Sequence, residues 1–168
     1  MNHPDIETDL EKIETLGQLR KDENYRFRKF LKSQNGRKID LLIHRLNAEV
    51  SAKVDCTACG NCCKHLSPCL NKSDLHNLSE ALVLSPAEVV EKYTEPLGQD
   101  LSLKHMPCTF LKDNKCSIYK HRPETCASFP HLHKNDFISR TRQAIDSYSI
   151  CPIMFNVIER MKTDLHFE

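Results

Sequence analysis

The run Cys56-Thr57-Ala58-Cys59-Gly60-Asn61-Cys62-Cys63 places four of the chain's nine cysteines within eight residues. Two residues between Cys56 and Cys59 let a tight turn aim both sulfurs at one ion, and the step from Cys59 to Cys62 repeats the device. Gly60 sits at the junction, where it relaxes the turn. Clustered thiols are oxidation-sensitive unless engaged, so the run reads as a metal knuckle rather than a set of inert buried thiols. A fold built around it depends on its ligands as well as on its core.

The first three cysteines match the start of the bacterial ferredoxin run C-x2-C-x2-C-x3-C-P. The fourth ligand of that run would fall at Leu66, and the Cys-Pro pair is the distant Cys151-Pro152. An ordinary ferredoxin loop is therefore absent, although a distant cysteine can complete a cluster. Adjacent Cys62 and Cys63 add a second constraint. Neighbouring side chains diverge, so it is easier for them to serve two nearby centres, or for one to ligate while the other stays free. Nine cysteines fill two four-thiolate sites with one left over, and the spacing leaves one or two centres open.

Composition supports a metal staple. The chain has 168 residues, an apolar fraction of 39% and no Trp, against a usual apolar share of ~45–50%. A core that lean gains from a metal cross-link. The N-terminal stretch through Asp9 is acidic and has no apolar run, so no secretory signal is expected. No segment approaches the ~20 apolar residues of a membrane span. A cytoplasmic, reducing setting is thus expected, with no membrane partner. There, clustered thiols bind metal more often than they pair, and an odd count of nine fits a disulfide framework poorly. The net charge of +1 omits the thiolates, and four of them around Zn²⁺ carry a local charge of −2. Lys64, Lys72, Lys112, Lys115, Lys120 and Arg122 lie near cysteines in sequence, either offsetting that charge or as ordinary surface residues.

Before the knuckle, Ile6, Leu10, Ile13 and Leu16 recur at helical spacing, followed by Tyr25, Phe27, Phe30 and Leu31. Gln34-Asn35-Gly36 marks a turn, and Ile39, Leu42, Ile43, Leu46 and Val50 form a second stripe. An antiparallel helical hairpin is expected over residues 1–53 as an N-terminal extension, with the metal-binding domain over 54–168. Eight basic residues lie between Arg20 and Lys38 against Asp22 and Glu23. That stretch is either a solvated helix face or a surface for RNA or an acidic protein partner.

After the knuckle, residues 73–96 read as helical, with Ser85-Pro86-Ala87-Glu88 as a capping box with Pro at the first helical position. Cys108 to Leu111 and Cys116 to Tyr119, around a polar Lys112–Lys115 turn, read as a small β-hairpin. Arg122-Pro123 starts a short helix or turn carrying Cys126, and Cys151-Pro152 opens a last helix. His65, His121 and the pair His131 and His133 are further donor candidates, His131 the best placed. The fold expected is mainly α: the helical hairpin, then a metal-stapled cysteine-rich region with short helices and a β-hairpin.

The series Cys56-x2-Cys59-x2-Cys62-Cys63, then Cys116-Ser117-Ile118-Tyr119-x2-Arg122-Pro123-x2-Cys126-x2-Phe129-Pro130, resembles the YkgJ-type cysteine-cluster family. That family is described as zinc- or iron-chelating and includes relatives of flagellin lysine N-methylase. The resemblance covers roughly residues 54–155 and implies Cys56, Cys59, Cys62, Cys63, Cys116 and Cys126 as metal ligands. It places Cys69, Cys108 and Cys151 where such proteins carry further cysteines, and puts Arg122 in the matched motif. His131 and His133 have no place in that pattern.

The leading function is therefore a metal-binding protein holding zinc or an iron–sulfur centre. The methylase relatives suggest an alternative, a metal-dependent protein-modifying transferase. No G-x-G loop for S-adenosylmethionine accompanies it, since glycine occurs only at Gly17, Gly36, Gly60 and Gly98. The basic stretch suggests another alternative, an interaction module for RNA or an acidic partner.

Overall fold

The computed structural model describes residue 3 and residues 5–168; residues 1, 2 and 4, part of the expected N-terminal extension, lie outside the described residues. The chain divides into two compact units. One comprises the residues up to Asp55 together with Pro130–Glu168, and the other is Cys56–Phe129.

The first unit is helical. Asp9 caps α1 (Leu10–Leu19) by accepting from the backbone N–H groups of Glu11 and Lys12. Arg20 breaks the run before α2 (Lys21–Lys32), and Asn35 caps α3 (Gly36–Ser51). The expected stripes face inward: Ile13, Phe27, Leu31, Ile39, Ile43, Leu46 and Val50 are buried. The C-terminal segment returns to this core as a 3₁₀ turn (Phe137–Arg140), a short helix Thr141–Asp146 and a final helix Pro152–Asp164. The last is the expected helix after Cys151, and it is buried on nearly every side. The main partner of α3 is this final helix, and that of α2 is the short helix before it.

Buried charge fixes the same unit. Lys162 is almost fully buried, and its Nζ donates to Glu23 at 2.6 Å and to Glu159 at 2.7 Å. Glu159 also accepts from the Tyr148 hydroxyl at 2.7 Å and pairs with Arg20. Burial, and then the Glu159 carboxylate, push the Tyr148 phenol well above its ordinary range.

The second unit begins with two single-turn helices, α4 (Cys56–Cys59) and α5 (Cys62–His65), joined by Gly60 and Asn61. Strand β1 (Cys69–Leu70) follows, then α6 (Lys72–Leu82) and α7 (Pro86–Tyr93). The Ser85/Glu88 capping box forms as read from the sequence. Residues 73–96 are not one helical stretch, however: Val83 adopts a left-handed conformation (φ 55°) and ends α6, and strand begins at Thr94. Strands β2 (Thr94–Leu97) and β3 (Asp100–Leu103) form a hairpin on Gly98, and β1 adds to β3, giving an antiparallel sheet in the order β1-β3-β2. The expected hairpin forms as β4 (Leu111–Lys112) with β5 (Lys115–Cys116), pairing Leu111 with Cys116, so its strands sit closer to the turn than the expected 108–111 and 116–119. Asp113 and Asn114 both take positive φ, the geometry of a two-residue I′ turn. A 3₁₀ turn (Tyr119–His121) and α8 (Glu124–Ser128) complete the unit. In chain order the two C-terminal helices of the first unit are α9 (Thr141–Asp146) and α10 (Pro152–Asp164). A small core of Leu70, Leu78, Val89, Leu103, Phe110 and Ile118 holds this unit, with Cys108 and Cys116 packed against it. The chain is thus mainly helical with a small antiparallel sheet. Among the described residues no helix is long and apolar enough to cross a membrane.

Candidate metal centre

The second unit carries eight of the nine cysteines, delivered from five short segments. Gly60 makes the turn between α4 and α5 with φ +59°, and a Cβ there would lie 2.6 Å from the Asn114 carbonyl oxygen. The knuckle therefore rests its backbone directly on the β4–β5 turn, an approach open only to glycine. On the other side, the Cys108 N–H donates to the Cys63 carbonyl at 2.8 Å, and α4 packs on β5. These contacts bring Cys63, Cys108 and Cys116 into one neighbourhood.

Cys126 arrives on α8, which Asp74 anchors. This buried carboxylate accepts from the Asn71 N–H at 2.9 Å, capping α6, and from the Glu124 N–H at 2.8 Å, holding the start of α8. Thr125 adds a bond from its hydroxyl to the Cys69 carbonyl at 3.1 Å, tying α8 to β1. Neither Asp74 nor Thr125 was a sequence candidate. The bond of Asp74 to the Glu124 N–H, across 50 residues, had no sequence signal.

These thiols influence one another electrostatically. The Cys62 thiol hydrogen-bonds to Cys63 and, aided by the Arg122 charge and against the effect of burial, lowers its pKa to about 7. Burial raises Cys108 and Cys116, and the Cys63 charge raises both further. Burial pushes Cys126 to about 12, with Cys63, Cys108 and Cys116 all adding to the rise. The Arg122 guanidinium lies 4.0 Å over the Tyr119 ring, which holds it in place, and it favours the thiolate at Cys63, Cys116 and Cys126. One thiolate forms readily here, and each further one is opposed by those already present. A bound cation relieves that opposition, and soft sulfur donors suit zinc and iron. The donor chemistry fits such a metal.

The remaining candidates are placed as follows. Cys56 and Cys59 lie on α4 beside β5, Cys56 exposed and Cys59 half-buried. Cys69 is exposed on β1. Cys151 belongs to the helical unit, where it is buried at the N-cap position of α10. His131 and His133 also belong to that unit, with the His131 carbonyl held by Arg140 at 2.9 Å. His65 ends α5 and His121 ends the 3₁₀ turn. Among the described residues, no three His, Cys, Asp or Glu side chains converge closely enough to grip an ion as they stand.

No curated protein and no solved structure matches the chain. A family model described as "CxxCxxCC: Putative zinc- or iron-chelating domain" matches residues 55–151, from the residue before the knuckle to the last cysteine. That match takes in more than half of the sequence and all nine cysteines, and the chain belongs to the CxxCxxCC zinc- or iron-chelating family.

Proposed function

We propose that the protein holds zinc or an iron–sulfur centre on a thiolate set built around Cys63, Cys108, Cys116 and Cys126. Cys56, Cys59, Cys62 and Cys69 supply the further donors for completing one centre or two. What supports this reading is the mutual electrostatic influence of Cys63, Cys108, Cys116 and Cys126, carried on separate segments, with Arg122 acting on three of them. Their mutual charge repulsion has no structural benefit without a cation to absorb it. When bound, zinc supplies a redox-inert cross-link and an iron–sulfur cluster supplies an electron carrier. A reducing compartment such as the cytoplasm suits such ligands.

Anaerobic purification followed by elemental analysis tests the reading. Zinc gives a colourless protein with stoichiometric metal. An iron–sulfur centre gives a brown one whose visible absorbance bleaches with dithionite. Cys63→Ser and Cys116→Ser should each lower the metal content. Protein free of both metals under these conditions, with reconstitution also failing, would refute the proposal.

A further inference from the structure

Many cations of the helical unit are paired with carboxylates. Lys12, Arg20, Arg45, Arg142, Arg160 and Lys162 each have a carboxylate partner. Between Asn24 and Ile39 the sequence holds six cations and no acid. Five of the six, Arg26, Lys29, Lys32, Arg37 and Lys38, are exposed. Among the described residues none of the five has a carboxylate within ion-pair distance. The nearest acids in sequence on either side turn away: Glu23 binds Lys162, and Asp40 accepts from the backbone N–H groups of Asp136 and Phe137.

The layout concentrates this charge. Arg26, Lys29 and Lys32 occupy successive i+3 positions on α2, where neighbouring side chains start about 5–6 Å apart. Arg37 and Lys38 stand in the first turn of α3, which carries no acidic residue. Cations at a helix N-terminus oppose the helix dipole, so this placement lowers stability unless an outside anion offsets it.

We infer that the exposed ridge of α2 and the first turn of α3 form a docking surface for the phosphodiester backbone of nucleic acid. Between residues 26 and 38 no apolar side chain is exposed. Protein interfaces concentrate their energy in aromatic and apolar anchors, and membrane-surface helices insert apolar side chains beside their basic ones. Nucleic-acid interfaces are polar and strongly positive, and their partner repeats its charge about every 3.4 Å along each strand. The nearby aromatics do not form a base-stacking platform. Phe27 and Phe30 pack on each other and on Phe167, with centroids 5.0–6.1 Å apart. The contact is therefore to phosphates, independent of base sequence.

Fluorescence anisotropy of the full-length protein with labelled 20-mer RNA and DNA duplexes of mixed sequence tests this. Five phosphate contacts give a log–log salt slope of about −4.5, so doubling the salt weakens binding about twenty-fold. The triple variant R26E/K29E/K32E should lose binding more than ten-fold while keeping the wild-type circular dichroism and metal content. The milder pair R37Q/K38Q covers the case in which the triple variant misfolds, and should flatten the slope. Absence of binding at 50 mM salt, or binding indifferent to these substitutions, overturns the inference. So does tighter binding to poly-glutamate or to phosphatidylserine vesicles, which assigns the surface to an acidic protein or a membrane.

Discussion

Replacing Gly60 by Ala tests whether the knuckle rests on the β4–β5 turn. Two costs follow from the structure. The backbone at φ +59° disfavours any L-side chain by about 1–2 kcal/mol. The new Cβ would also meet the Asn114 carbonyl oxygen at 2.6 Å and two more backbone atoms of Asn114 at 3.1 Å. Because the obstacle is backbone, relief requires the hairpin to move, at an overpacking cost of about 1–3 kcal/mol. Lost flexibility of the unfolded chain returns about 0.4–1 kcal/mol. The net is a loss of about 2–4 kcal/mol. Gly98→Ala is the matched control, since its φ is +64° but nothing lies within 4 Å of the added Cβ. It bears only the backbone cost, about 1 kcal/mol net. Hydrogen exchange of peptides within residues 56–129, on metal-free protein, reads both. Protection should fall about thirty-fold or more for Gly60→Ala and no more than about ten-fold for Gly98→Ala, at ten-fold per 1.4 kcal/mol. Equal losses would mean that the Gly60–Asn114 contact does not hold the cysteines together.

Four further outcomes follow from the same structure. Asp74→Ala strips the partner from the Asn71 and Glu124 N–H groups and should cost about 2 kcal/mol in urea unfolding, with weaker metal retention because α8 carries Cys126. In metal-free protein, alkylation of Cys63 by iodoacetamide should rise with pH through a midpoint near 7, where the thiolate forms, while Cys126, pushed to about 12, stays unreactive. Cys62→Ala removes the hydrogen bond that lowers Cys63 and should move that midpoint upward; an unmoved midpoint, read by mass spectrometry, would refute the assignment. Lys162→Met leaves the Glu23 carboxylate without its buried partner and should cost about 3 kcal/mol in thermal unfolding.

The parts that follow local rules were legible in the sequence. The apolar stripes of α1 to α3, the Ser85 capping box, the polar turn of the β4–β5 hairpin and the helix after Cys151 each depend on residues within a few positions. What escaped depends on distant partners or on single residues overriding a pattern. Val83 stops α6 in a conformation that β-branched residues rarely adopt, so the apolar stripe gave no warning of it. Strands β2 and β3 show only four residues each to a reader of the sequence, and the pairing of β3 with β1 joins Cys69 to Ser102 across 33 positions. The knuckle was recognisable from spacing alone. That it leans on Asn114, and that Asp74 holds the start of α8, are facts of tertiary packing.

The chain leaves the helical unit at Asp55 and re-enters it at Pro130, with the cysteine unit as one unbroken passage between. The packing of α3 against α10 must therefore close across that passage. As a flexible tether, the 74 intervening residues would cost this closure about 4 kcal/mol of chain entropy. Once the passage is itself folded, its two ends are no longer free to wander, and most of that penalty disappears. During synthesis the passage is complete before α10 emerges, so the order of events favours it as the first part to settle. Whatever fastens the cysteine segments together thereby also eases the assembly of a helical core that contributes only one of the nine cysteines.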